Sequence, residues 1–193
     1  MKQNSKKKRR IFLLIAVFSL ILILNIGNIG RLFYPVKYID SVKKYTNEYR
    51  LDPYLIMSII KAESNFNADA VSGKNATGLM QIMEPTAMWL SDKLGLDDFS
   101  YEDITDPDTN IRMGCYYIAF LLEHYEGNTD NALAAYNAGQ GNVDRWLSDK
   151  ACSKDGKTLS HIPYPETRLY IDQVTNNEKV YRALYKVQPD KEG

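Results

Sequence analysis

The segment from Leu51 to Asn65 puts a carboxylate where a helix should be greasy. Asp52 can cap the free amides of a helix start, and Pro53 suits the first helical position, where its missing N–H costs nothing. Leu55, Ile56, Ile59 and Ile60 then fall on one face at the spacing of a core-facing helix. At roughly 100° per residue, Glu63 lies one turn beyond Ile59 and Ile60 and two turns beyond Ile56. The apolar stripe therefore ends on a carboxyl group. Burial against aliphatic side chains and the negative end of the helix would both disfavour its anion. A carboxyl that stays protonated near neutral pH is what a general acid requires. The helix alone also allows a plainer reading, in which Glu63 sits at a frayed end and turns into water.

From Ser64 to Gly78 small and polar residues dominate, which predicts a long irregular loop, and long loops inside compact domains are usually functional. Leu79-Met80-Gln81-Ile82-Met83 is then apolar except for one amide. Gln81 either caps a backbone group or points into a cleft to meet a polar ligand. Thr86 to Leu94 reads as a short helix ended by Gly95. Asp106-Pro107 begins another, with Ile111, Gly114, Cys115, Ile118, Leu121, Leu122 and Tyr125 on its apolar face and Gly127 as its stop. Gly114 in mid-helix costs about 1 kcal/mol relative to Ala, which points to close helix packing. Asp130 is the expected cap of a helix through Tyr136 that Gly139 and Gly141 end. Tyr136 is either a half-buried core aromatic or a hydroxyl delivered to a helix terminus. Asn142 to Leu147 predicts a further short helix, and Ser148 to Ser160 a lysine-rich surface loop. Pro163 and Pro165 impose an extended approach to a terminal helix through Tyr170, Val174, Tyr181 and Leu184. Glu166 fits the first turn of that helix, where a carboxylate is favourable. With no long period-2 pattern and no internal repeat, the fold class is all-α.

The first ten residues carry six basic side chains and no acidic one, and Ile11 to Leu24 is apolar apart from Ser19. Extended to Ile29, the apolar stretch would be ~29 Å long as a helix, about the thickness of bilayer hydrocarbon. Basic residues before the span place the N-terminus inside and the remainder outside. A cleaved signal peptide is the rival reading, but Asn25-Ile26-Gly27-Asn28-Ile29-Gly30 offers no Ala-x-Ala-like site, so a retained signal anchor is expected. No Cys lies near the span, which excludes the usual lipoprotein processing. The expected organisation is a basic cytoplasmic tail over 1–10, a transmembrane anchor over 11–30, a linker over 31–37, a catalytic domain over 38–187 and a polar tail over 188–193.

The formal net charge of zero conceals an asymmetry. Without the six basic residues of the tail, 18 basic side chains face 24 acidic ones. Such an ectodomain has no basic footprint for nucleic acid. Cys115 and Cys152 leave a disulfide open and cannot hold a metal alone, and His124 and His161 lack ligand spacing to them. No Ser–His–Asp arrangement or phosphate-binding glycine loop is present.

Glu63-Ser64, Ser72, Gly78-Leu79-Met80-Gln81-Ile82-Met83, Ala134-Ala135-Tyr136-Asn137-Ala138-Gly139 and Pro165-Glu166-Thr167 stand in the order and spacing of one family's motifs. From about Tyr38 to about Val187 the chain resembles the lytic transglycosylase domain, a lysozyme-like α fold related in architecture to goose-type lysozyme. One departure is Glu84, which separates Met83 from Pro85 where the family usually has Pro directly. The resemblance implies an enzyme that cleaves peptidoglycan glycan strands between N-acetylmuramic acid and N-acetylglucosamine, with a 1,6-anhydromuramyl product and no metal or other cofactor. It implies Glu63 as the catalytic residue, and Ser72, Gln81, Met83, Tyr136, Asn137 and Glu166 as substrate-binding residues. Most glycosidases use two carboxylates, and the sequence shows no evident second partner near Glu63. The resemblance resolves this through the substrate, whose acetamido group supports the anomeric carbon while Glu63 acts first as acid and then as base. A hydrolytic muramidase, or a non-catalytic membrane-held glycan-binding module of an envelope complex, are the alternatives.

Overall fold

In the computed structural model, residues 2–187 are described, so the expected polar tail over 188–193 lies outside the described residues. The chain divides into two units, Met1–Pro35 and Val36–Gly193. The first is a helix, α1 (Lys2–Phe33), which runs through the expected anchor and into the expected linker. Among the described residues no single helix is long and apolar enough to cross a membrane. Ile11–Ile21 and Ile23–Phe33, bent by 49°, pass that test together by length and composition.

The second unit contains α2 (Ile39–Glu48), α3 (Pro53–Ser64), α4 (Glu84–Leu94), a 3-10 turn (Tyr101–Thr105), α5 (Pro107–His124), α6 (Thr129–Ala138), α7 (Gln140–Ser148) and α8 (Pro165–Leu184). Among the described residues extended pairing is limited to the isolated bridges Val71↔Thr77 and Thr77↔Ile82. The expected all-α class describes this unit.

Helix α3 begins and ends as its sequence dictates. Asp52 accepts the Tyr54 N–H at 2.8 Å, Pro53 occupies the first turn, and Asn65 closes the helix in the left-handed region at φ 52°. Its burial is wider than one stripe, because Met57 and Ser58 are as completely buried as Ile56, Ile59 and Ile60. A helix covered nearly all round is a central one. α8 packs along it most extensively and α2 also touches it, while α6 in turn meets α5, α7 and α8.

The expected helix boundaries shift by local chemistry. The α6 cap is Asn128, which accepts the Asn131 N–H at 3.0 Å, while the expected cap Asp130 lies inside the first turn. α4 starts at Glu84, so the residue that departs from the family pattern becomes its first residue, with Pro85 following. Of the loop expected over Ser148 to Ser160, Ser148 ends α7 and the rest is irregular but pinned, since the Asn131 amide donates to the Lys157 carbonyl at 2.7 Å and Cys152 is buried. Both cysteines are free thiols.

The loop between α3 and α4 is held by Asn110 of α5, which is fully buried. Its side-chain oxygen accepts the Met80 N–H at 2.8 Å, and its amide donates to Thr77 O at 3.1 Å and Ile104 O at 2.8 Å. The Tyr101 hydroxyl adds a second anchor, 2.9 to 3.1 Å from Asn75 O, Thr77 Oγ1 and Ile82 O. Gly114 admits Met80 against the α5 backbone: a Cβ there would lie 2.2 Å from the Met80 sulfur. The close packing expected of that glycine is thus between helix and loop.

Candidate active site

Glu63 lies in the last turn of α3, and the loop from Val71 to Met83 faces it across a cleft of about 650 Å³. Ser64 fixes the distance between the two walls, because its hydroxyl donates to Leu79 O at 2.8 Å. Tyr136, near the end of α6, donates to Met80 O at 2.7 Å and ties the same loop from the other side. Ser72, Gln81, Met83, Tyr136, Asn137 and Glu166 all line this cleft together with Glu63. The fold therefore brings all seven residues singled out in the sequence into one place, although α6, α8 and the loop are far apart along the chain.

Their local duties differ. The Ser72 hydroxyl accepts the Ala76 N–H at 3.0 Å and the Lys74 N–H at 3.2 Å, so it shapes the loop as well as facing the cleft. The Gln81 amide nitrogen donates to Ala70 O at 3.0 Å and Gly78 O at 2.9 Å. Gln81 thus satisfies backbone groups, as one of its two readings had it, and it also lines the cleft. The Asn137 side-chain oxygen accepts the Thr167 hydroxyl at 2.9 Å, joining the end of α6 to the start of α8. Met83 is substantially exposed. Glu166 stands in the first turn of α8, exposed, with Lys74 at 3.7 Å.

Glu63 is half-buried, with its carboxyl shielded and one edge open to the cleft. Burial pushes its pKa up from 4.5 to about 7, against a smaller lowering by the Tyr170 hydroxyl. The protonated acid expected from the apolar stripe is therefore present near neutrality, and desolvation is its principal cause. Tyr170, on α8, has a fully buried hydroxyl that meets no partner in good hydrogen-bonding geometry. It stands close enough to Glu63 for the two to affect each other's ionisation. Burial and the neighbouring Glu63 also raise the Tyr136 and Tyr170 pKa values, so both remain neutral hydroxyls. A phenol this close can turn a hydrogen bond onto the carboxyl as the latter ionises.

Sequence reasoning missed Tyr170 as a site residue, reading it only as part of the α8 apolar face. Lys74, Thr86 and Tyr117 also line the cleft unforeseen. Among the described residues, no group of three or more His, Cys, Asp or Glu side chains is arranged to hold a metal ion. Replacing Tyr170 by Phe removes the donor that favours the carboxylate. The Glu63 pKa is then expected to rise above that of the unsubstituted chain, as followed by carbon NMR of the carboxyl; an unchanged titration would show that the phenol does not act on it.

Residues 40–158 match the Transglycosylase SLT domain, and the chain belongs to that family. It is 34% identical over 158 residues to the soluble lytic murein transglycosylase of Escherichia coli K12, covering 81% of this chain and 24% of that protein. To the membrane-bound lytic murein transglycosylase C of Edwardsiella ictaluri it is 36% identical over 172 residues, covering 77% and 47% respectively. Among solved structures, an inactive mutant of the lytic transglycosylase Slt from Pseudomonas aeruginosa superposes with a TM-score of 0.69 at 33% identity, over 81% of this chain and 26% of that one. The soluble lytic transglycosylase in complex with bulgecin A gives 0.73 at 29% identity, over 85% and 27%. The chain thus spans about a quarter to a half of the length of these relatives. The mostly helical, lysozyme-like fold is common to them. Glu166 and Tyr170 lie beyond the matched family segment, on α8.

Proposed function

We propose that this chain is a peptidoglycan lytic transglycosylase, a lyase that cleaves the bond from N-acetylmuramic acid to N-acetylglucosamine and leaves a 1,6-anhydromuramyl end. The observation that carries this reading is the shielded Glu63 carboxyl, with a pKa raised to about 7, in the wall of a cleft lined by the family's motif residues. Protonated Glu63 gives its proton to the glycosidic oxygen as that bond breaks. The muramyl acetamido group stabilises the anomeric carbon. Glu63, now a carboxylate steadied by the Tyr170 hydroxyl, takes the proton of the 6-hydroxyl, whose oxygen closes on the anomeric carbon. A single group serving as acid and then base works best with a pKa near the working pH. Ser72, Gln81, Met83, Tyr136, Asn137 and Glu166 orient the glycan, and orientation is where an internal attack gains its advantage. The other carboxylate lining the cleft, Glu166, is exposed and faces a lysine, which suits binding better than nucleophilic attack.

We place the catalytic domain at 38–187, with α1 as an anchor whose basic start is cytoplasmic and whose domain is extracytoplasmic. The six basic residues before the apolar stretch, the bent pair of apolar segments and the membrane-bound relatives support this. Purified sacculi digested with the full chain should release muropeptides one water lighter than reducing-end products, as read by mass spectrometry. Reducing ends alone would make the chain a hydrolytic muramidase. Retention on sacculi without release would make it a glycan-binding module.

A further inference from the structure

The rim of the Glu63 cleft carries a pair of opposite charges. Lys74, from the loop between α3 and α4, and Glu166, from the first turn of α8, both line the cleft. The Lys74 ammonium stands 3.7 Å from a Glu166 carboxylate oxygen, and the two side chains are 77% and 75% exposed. Among the described residues that line the cleft, Lys74 is the single cation. It lies between the motif residues Ser72 and Gly78 and belongs to neither motif.

The backbone beneath Lys74 is fixed. The Val71↔Thr77 bridge closes the base of its turn. Within the turn, Ser72 O accepts the Asn75 N–H at 2.9 Å and the Ser72 hydroxyl accepts the Lys74 N–H at 3.2 Å. Asn75 takes a left-handed φ of 60°, which asparagine tolerates better than most residues, and the Tyr101 hydroxyl donates to its carbonyl at 2.9 Å. Across the cleft, the Thr167 hydroxyl donates to Asn137 at 2.9 Å and secures the start of α8. Two firm supports therefore hold opposite charges near each other on long, solvated side chains. Such an exposed pair adds little to stability, because water competes for both ions and two flexible side chains must be held. The same weakness makes it exchangeable: another carboxylate can take the place of Glu166 at little cost.

We propose that Lys74 is a specificity-determining residue that binds a carboxylate on the lactyl substituent of the muramyl ring, displacing Glu166 from the ammonium. The proposal rests on the transglycosylase reading and extends it from the sugars to their side groups. N-acetylglucosamine is neutral, so the muramyl residue alone brings anionic groups into the cleft. On a bare strand the lactyl carboxyl is free. On a substituted strand it is amide-linked to the stem peptide, which carries carboxylates of its own. Past the basic tail, 18 basic side chains face 24 acidic ones, so an anion entering the cleft needs a cation fixed there. The position of Glu166 shows that a carboxylate fits beside Lys74.

The test measures, by calorimetry, binding of muramyl-containing oligomers of one length to the full chain in detergent micelles. The Glu63→Gln form is used so that no bond is cut. Two matched pairs of ligands are compared. In the first the strand is bare and its lactyl group is either the free acid or the carboxamide. In the second it carries a short stem peptide whose carboxylates are either free or amidated. The free acid is expected to bind about three- to fivefold tighter in at least one pair, and that pair names the source of the carboxylate. The preference should shrink as salt is raised from about 0.05 M to about 0.5 M. In Glu63→Gln combined with Lys74→Met the ratio of acid to amide affinity should fall to about one, Lys74→Arg should keep it, and Lys74→Glu should invert it. A role confined to shaping the turn would weaken both members of a pair together and leave the ratio unmoved. A ratio that survives Lys74→Met, or no preference in the parent for either pair, overturns the proposal. Should the preference follow Lys74 while wild-type protein makes no anhydro ends, the carboxylate site stands and the enzymatic reading falls. Anhydro ends alongside a ratio indifferent to Lys74 would keep the enzyme and remove the site.

Discussion

Glu63→Gln is expected to fold normally and to lose wall cleavage by about three orders of magnitude, since the proposed mechanism asks one side chain for both proton transfers. The substitution keeps shape and hydrogen-bonding capacity but removes the proton that titrates at about 7. Release of soluble muropeptides from sacculi is the measurement, and activity within tenfold of wild type would remove Glu63 from the mechanism. The same variant also reports on burial. Below the ordinary value of 4.5 the carboxyl is protonated in both folded and unfolded chains, so its burial penalises neither. Between 4.5 and about 7 the unfolded chain ionises while the folded one resists, so stability declines as pH rises, and above about 7 the loss is complete. Glu63→Gln escapes that loss. Its stability relative to wild type should therefore rise by up to about 3 kcal/mol between pH 4 and pH 8. Paired denaturation curves at the two pH values check this, and a pH-independent difference would mean that the carboxyl is not shielded.

Gly78→Ala should be the most damaging single methyl group in the loop that faces Glu63. Gly78 sits at φ +84°, where an L side chain is strained, and an added Cβ would fall 2.1 Å from the Asn110 amide nitrogen and 2.9 Å from Ile104 O. Asn110 cannot step aside, because its side chain satisfies three buried backbone groups at once. Strain, overlap and broken hydrogen bonds together should cost about 3 kcal/mol or more. Urea unfolding tests it, and a midpoint equivalent to within about 0.5 kcal/mol of wild type would show that the loop yields freely. Gln81 depends on the same turn, since its amide donates to Gly78 O. Wall cleavage should fall along with stability.

The features that the sequence announced were the ones encoded locally. Asp52, Pro53 and Asn65 bracket α3 because caps act over two or three residues. The stripe from Leu55 to Ile60 led to Glu63 because helical period is a property of the segment itself. What periodicity could not show was that Met57 and Ser58 are buried too, since that depends on what packs against the opposite face. The expected cap Asp130 stands two residues too late, because Asn128 can cap equally well and the folded helix uses it. Tyr170 and Tyr101 were least legible. Each acts through a hydroxyl placed by tertiary packing, Tyr170 opposite Glu63 and Tyr101 at the loop's bridges, and an aromatic within an apolar pattern looks like core until its partner is known. The other six cleft residues were assigned by family motif rather than by pattern, and distance along the chain hides such assemblies from any local reading.

The close union of α3 and α8 makes the acidity of Glu63 a gauge of structural integrity. Its proton is retained only while the surrounding helices keep water away. A domain that begins to open at this seam would hydrate the carboxyl, let it ionise at neutral pH and so disarm itself before it unravelled. If its substrate is the load-bearing wall, as we propose, damage would end in silence rather than in uncontrolled cutting.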